Sequence, residues 1–133
     1  MKSNYKLFIW IVAGVLAGAL GNHAMHGQQV ETPPAYVISE VDSITDTAAI
    51  KEYGAKVQET LAPFNGHYHF VVRGGKTEGL DGDAPPKGIV VIVFDSSERA
   101  HAWYDSPAYA AIRPIRQAAT KGRMFIVGGV ATK

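Results

Sequence analysis

The chain contains no cysteine, which excludes disulfides, thiolate metal sites and a lipoprotein anchor. A phosphate-binding loop is also missing. Gly74-Gly75-Lys76 lacks a following Ser or Thr and does not sit between a strand and a helix. There is no G-x-S-x-G nucleophile elbow and no HExxH zinc motif, and Ser39, Ser96 and Ser97 have no base at a recognisable spacing. Reactions that need a bound nucleotide or a dedicated metal are therefore disfavoured, and no cofactor is expected. Charge of one sign is lacking too. Of 13 Lys and Arg, two lie within the first six residues, leaving 11 against 12 Asp and Glu. No basic run interleaved with aromatics is present, so no nucleic-acid partner is expected.

What is present begins with an address. Lys2 and Lys6 precede an apolar run of 14 residues, Leu7 to Leu20. This fits a secretory h-region and is short for a membrane span, which needs about 20 residues. Residues 1–27 are read as a signal peptide, with a retained membrane anchor as the alternative; the protein is expected to be exported, periplasmic or secreted, and free of the membrane once cleaved. His23 and His26 lie at this junction and read as spacer. Residues 28–34 form a linker, 35–130 a single domain, and 131–133 a tail, in keeping with a chain of 133 residues.

Within the domain, hydrophobic period and turn chemistry alternate. Ala35 to Val41 reads as a strand. Asp46 caps a helix from Thr47 to Leu61 with an apolar stripe at Ile50, Tyr53, Val57 and Leu61. Pro63 and Asn65-Gly66 close it, and His67 to Arg73 is a second strand. Gly74-Gly75 reads as a bulge, with Lys76 to Leu80 continuing the strand beyond it. Asp81-Gly82-Asp83 has the composition of a turn rather than of a paired-carboxylate site. Ile89 to Phe94 (IVVIVF) is a third strand. Two short helices follow, broken at Asp105-Ser106-Pro107, with Ser106 as cap and Pro107 opening the second. That second helix runs up to Gly122, with Ala108, Ile112, Ile115 and Ala119 as its core stripe and Tyr109, Arg113 and Arg116 on a boundary face. Pro114 should kink it. Met124 to Val130 is the fourth strand.

The order β-α-β-β-α-β predicts an α+β, ferredoxin-like domain: a four-stranded antiparallel sheet with its helices on one face. IVVIVF is apolar at every position, so both faces of that strand should be buried. Helices cover only one. The expected cover for the other is a second copy, which makes the protein a homodimer.

The stretches YVISEV, PFNGHY, VRGGK, VVIVFDS, AWYDSPAY and FIV then carry a resemblance over Ala35 to Val130. The chain resembles the bacterial family named domain of unknown function 1330. The resemblance implies a dimeric α+β barrel, whose fold relatives include small cofactor-independent monooxygenases, muconolactone isomerases and haem-degrading monooxygenases. That family has no assigned activity, so no catalytic role is carried over. Positions that match its recurring motif are Arg73, Gly74, Gly75, Trp103, Tyr104, Ser106, Tyr109, Arg113 and Arg116.

The ligand-binding candidates are Arg73, Trp103, Tyr104, Tyr109, Arg113 and Arg116. Trp103 and Tyr104 read either as packing or as the apolar wall of a pocket. Arg113 and Arg116 could hold a carboxylate or phosphate, or lie solvated. Arg73 precedes the glycine bulge, a place where side chains are often re-aimed toward a site. His67 and His69 share a strand face and are the candidates for moving a proton. As metal ligands they would need Glu40 or Glu78 to complete the set, so no metal site is assigned. His101 points away from Trp103. The function expected is binding, with or without cofactor-free transformation, of a small anionic or aromatic molecule in a cleft between sheet and helices. As an enzyme it would be monooxygenase-like or isomerase-like. The alternative is a non-catalytic structural or interaction dimer with a filled interior. Intact-mass measurement of the exported protein should place its first residue between Asn22 and Gln29; a full-length mass in the membrane fraction would overturn the leader reading.

Overall fold

The computed structural model describes residues 32–72 and 76–130. The leader, most of the linker, Arg73 with Gly74-Gly75, and the tail lie outside the described residues. The elements in order are β1 (Ala35–Ile44), α1 (Thr47–Leu61), β2 (His67–Val72), β3 (Gly88–Phe94), α2 (Ser97–Tyr104), α3 (Pro107–Ala119) and β4 (Thr120–Gly128). A single 3-10 turn, Ala62–Phe64, follows α1. The strands form one sheet in the order β2-β3-β1-β4, every pair antiparallel. This is the ferredoxin-like arrangement, with the helical break dividing its second helix into α2 and α3.

Local chemistry accounts for the helix boundaries. The Asp46 carboxylate accepts from Ala49 N at 2.9 Å and starts α1. Ser96 caps α2 by accepting from Arg99 N. Ser106 is used twice at the break: its hydroxyl accepts from Tyr109 N at 3.2 Å and donates to Trp103 O at 2.7 Å. The cap of α3 is thereby tied to the end of α2. Asn65 adopts a left-handed conformation, φ 55°, at the turn into β2. Gly66 follows because a Cβ there would fall 2.4 Å from the Phe94 ring.

The core lies between the helices and one face of the sheet. Ala35, Val37, Ile92 and Phe94 from the sheet meet Tyr53, Val57 and Leu61 of α1, Ala100 and Trp103 of α2, and Tyr109 and Ile112 of α3. Trp103 is the centre of this cluster. Its ring lies 4.0 Å from that of Tyr109 and 5.5 Å from that of Phe94. Its indole N–H donates to Thr60 Oγ1 at 2.9 Å, and Thr60 in turn donates to Val57 O at 2.7 Å. No polar atom of the cluster is left to desolvation alone, which is what allows an indole to be fully buried.

Residues opposite one another across the ladders share a face. Tyr36, Ile38, Val91, Val93, Phe125 and Val127 therefore all lie on the face away from the helices. Phe70 joins them through its pairing with Val91 and is 50% exposed. The all-apolar third strand thus splits its side chains between the helical core and an open, largely apolar sheet face.

Several boundaries differ from the sequence reading. Lys76 to Leu80 is not a strand. The helix stops at Ala119 and β4 begins at Thr120, because the ladder with β1 extends back to Ile44. Gly122 lies inside that strand at φ 146°, where a Cβ would strike Glu40 O. Ladder irregularities occur at Tyr68/Phe70 and Val41/Ser43. Tyr109 is a core residue with no exposed surface, not a boundary residue, while Ala108 is exposed. Ile112 and Ala119 are buried and Ile115 packs against the core as expected, but Tyr109 takes the first core position in place of Ala108 because it fills the space against Trp103. The helix assignment continues through Pro114, which is exposed.

Thr60→Val should leave the buried indole N–H without an acceptor and cost about 1–3 kcal/mol, against about 3–5 kcal/mol for Trp103→Ala. Urea unfolding followed by circular dichroism measures both. An unchanged midpoint for Thr60→Val would show that the indole hydrogen bond contributes nothing.

Candidate functional site

A pocket of about 380 Å³ opens between the sheet and the helices, at the end where β1 and α3 finish and α1, β3 and β4 begin. Ser39, Val41, Ser43 and Ile44 come from β1, Ile50 and Tyr53 from α1, Gly88 and Val90 from β3, and Thr120 and Met124 from β4. Arg116, from the last turn of α3, and Lys87 complete the lining. The wall is mainly apolar. Its charged groups are both cationic; no carboxylate contributes to it.

Two features of this lining are unusual. Arg116 Nε is buried and has no hydrogen-bond partner among the described residues. A buried guanidinium N–H without an acceptor is costly, and in native proteins such groups ordinarily find one. The second feature is a hydroxyl pair: Tyr53 and Tyr109 lie with their phenolic oxygens 3.3 Å apart. The Tyr109 hydroxyl also reaches Met124 Sδ at 3.8 Å. Burial pushes the Tyr53 phenol up from its ordinary pKa, and the adjoining Tyr109 adds to this; the nearby Arg116 charge acts in the opposite direction. Tyr53 therefore stays protonated and remains a potential donor across the neutral range.

The sequence candidates separate in space. Arg116 is in the pocket wall. Tyr109 adjoins it only through its hydroxyl contacts to Tyr53 and Met124, its ring lying in the core. Trp103 is fully buried and does not reach the pocket. Tyr104 and Arg113 form a separate pair at the break between α2 and α3. The Arg113 guanidinium lies 4.7 Å from the Tyr104 ring centroid and donates to Tyr104 O at 3.3 Å. Arg113 is thus a brace between two helices. Arg73 falls outside the described residues. His67 and His69 are exposed on the open face of the sheet, where the irregularity at Tyr68/Phe70 keeps both on one side and His69 meets the Tyr36 ring edge-on at 6.4 Å. The sheet separates them from the pocket. Sequence reasoning missed Tyr53 as a site residue, since it reads as one member of an apolar stripe. Ser39 is set aside in sequence as a serine without a base, and it is 6% exposed in the pocket wall.

The two arginines should respond oppositely to truncation. Arg113→Ala removes a stacked, hydrogen-bonded brace and should cost about 1 kcal/mol. Arg116→Ala removes an unpaired buried donor and should leave stability unchanged or raised. Chemical denaturation of both variants measures this; a loss at Arg116 as large as at Arg113 would mean its charge is already compensated.

Comparison with known proteins agrees with this architecture. A protein of unknown function from Rhodopseudomonas palustris superimposes with a TM-score of 0.58 at 14% identity, covering 75% of this chain and 85% of that one. The hydroxynitrile lyase of Passiflora edulis gives 0.53 at 12% identity, covering 77% and 98%. A cofactor-independent oxygenase from Streptomyces nogalater gives 0.47 at 12% identity, covering 76% and 97%. For the first two, at such identities, the likeness is one of fold. No curated protein sequence matches the chain. The family described as Domain of unknown function (DUF1330) matches residues 34–130, nearly the whole described domain, and the chain belongs to that family.

Proposed function

We propose that this protein binds a small molecule bearing an anionic group in the pocket between the sheet and the helices. One observation carries the reading: Arg116 Nε is buried, unpartnered and part of the wall of a 380 Å³ pocket whose lining has no carboxylate. A ligand anion would supply the missing acceptor, and a charge-assisted hydrogen bond in a largely apolar setting is among the stronger polar contacts. Val41, Ile44, Ile50, Val90 and Met124 suit an apolar body. The pocket lining contains no histidine, so the geometry supports binding more directly than proton transfer. The leader-like first 27 residues support an exported setting for this activity.

The open sheet face supports a homodimer. It exposes Phe70 at 50%, Val127 at 43% and Phe125 at 36%, and these adjoin the half-buried Ile38, Val91 and Val93. A contiguous apolar face of this kind needs a cover. A second copy packed sheet to sheet would place His67 and His69 at the interface and leave the pocket accessible from the helical side.

A thermal-shift screen of small carboxylates against the purified protein tests the binding reading, because a ligand of the folded state raises apparent stability. At least one acid should raise the melting temperature of the unaltered protein and fail to raise that of Arg116→Ala. No response to any acid, or an equal response in the variant, would overturn it. Light scattering on the same samples should report a dimer at micromolar concentration; a monomer that keeps its structure on dilution would overturn the sheet-to-sheet assembly.

A further inference from the structure

The polar groups of the pocket specify more than a charge. Tyr53 has one hydroxyl proton and shares a 3.3 Å contact with Tyr109, in which either oxygen can donate. Two arrangements satisfy the pair. In the first, Tyr53 donates to Tyr109, and Tyr109 donates to Met124 Sδ at 3.8 Å. Tyr53 then offers the pocket only a lone pair. In the second, Tyr109 donates to Tyr53, and the Tyr53 proton is released for a ligand. The second arrangement gives up only a hydrogen bond to a thioether, which is a weak acceptor. An incoming anion can therefore select it with little opposition.

We propose that the site is a receptor for carboxylic acids bound as carboxylates, in which Tyr53 O–H and Arg116 N–H grip one head group and the Tyr109–Met124 contact sets the direction of the Tyr53 proton. This rests on the pocket reading above. Two donors, one phenolic and one guanidinium, match a planar head with two oxygens; a phosphate, with three free oxygens, would leave acceptors unmatched. Tyr53 stays protonated because burial holds its phenol neutral, so it can only assist an anion and never repels it. The aliphatic side chains of Val41, Ile44, Ile50 and Val90 take the hydrocarbon body. Tyr109 is a positioning residue here: it acts through Tyr53.

The test uses hexanoate, benzoate and cinnamate, each beside its primary amide, titrated calorimetrically into the full protein and into Tyr53→Phe, Met124→Leu and Arg116→Ala. Tyr53→Phe should weaken carboxylate binding about tenfold to a hundredfold, the range expected for a hydrogen bond to a charged group. Its amide affinity should fall much less, and its melting temperature should hold. Met124→Leu removes the competing acceptor and should leave carboxylate binding equal or tighter. Carboxylates that bind the unaltered protein and are lost in Arg116→Ala, but bind Tyr53→Phe undiminished, would overturn this proposal while the pocket reading stands. Equal losses of acid and amide in Tyr53→Phe would also overturn it, since Tyr53 would then only shape the wall. Failure of every acid to bind the unaltered protein would overturn both.

Discussion

The fold depends on the burial of one indole. Trp103 has no exposed surface and touches a strand residue, Phe94, and a residue of the next helix, Tyr109, while its N–H is held by Thr60 of α1. Four elements meet at that side chain. The break between α2 and α3 is arranged so that they can: Ser106 closes the end of one helix and opens the next with a single hydroxyl. A continuous helix could not aim both Trp103 and Tyr109 into the same space, because residues six apart on a helix do not share a face. The gap of the turn brings them to ring contact.

From that anchor the domain divides by height. At the Trp103 end the space between helices and sheet is filled by aromatic rings. At the opposite end it is lined by short aliphatic residues, hydroxyls and one arginine, and it stays open as a pocket. The sheet likewise divides by face. β3 supplies Ile92 and Phe94 to the helical core and Val91 and Val93 to the open side, so a single strand serves two interfaces. On the open side the apolar surface ends where Glu40 and Arg123 pair across β1 and β4 at 2.5 Å. An exposed pair of this kind adds little stability and is better understood as a polar border.

Much of this is legible in the sequence because local rules and tertiary packing agree. Asp46 with the stripe of Tyr53, Val57 and Leu61 fixes α1 at both ends, and Asp105-Ser106-Pro107 fixes the helix break. IVVIVF announces a strand with two apolar faces. The rest fails where neighbouring residues compete for one space. Ala108 and Tyr109 compete for the first core position of α3, and only contact with Trp103 and Tyr53 decides between them. Arg113 and Arg116 lie one helical turn apart and look alike in sequence, yet one meets the Tyr104 ring and the other meets the pocket. β4 begins earlier than its apolar residues because its first three, Thr120, Lys121 and Gly122, are held by pairing with β1 and not by burial. The pocket is hidden for a related reason: its walls come from five elements, and no segment of sequence contains more than a few of its residues.

The chain of contacts from pocket to core has an optical consequence. Tyr53 meets Tyr109 through their hydroxyls, and Tyr109 lies against Trp103 at 4.0 Å. The sequence has two tryptophans, and the other, Trp10, belongs to the leader-like segment. Among the described residues Trp103 is the sole indole. Its emission therefore reports on one place in the molecule, two side chains away from the pocket. A rearrangement of the Tyr53–Tyr109 hydroxyls alters the field at its nearest aromatic neighbour. The protein thus carries its own spectroscopic probe, wired to the pocket by two phenols.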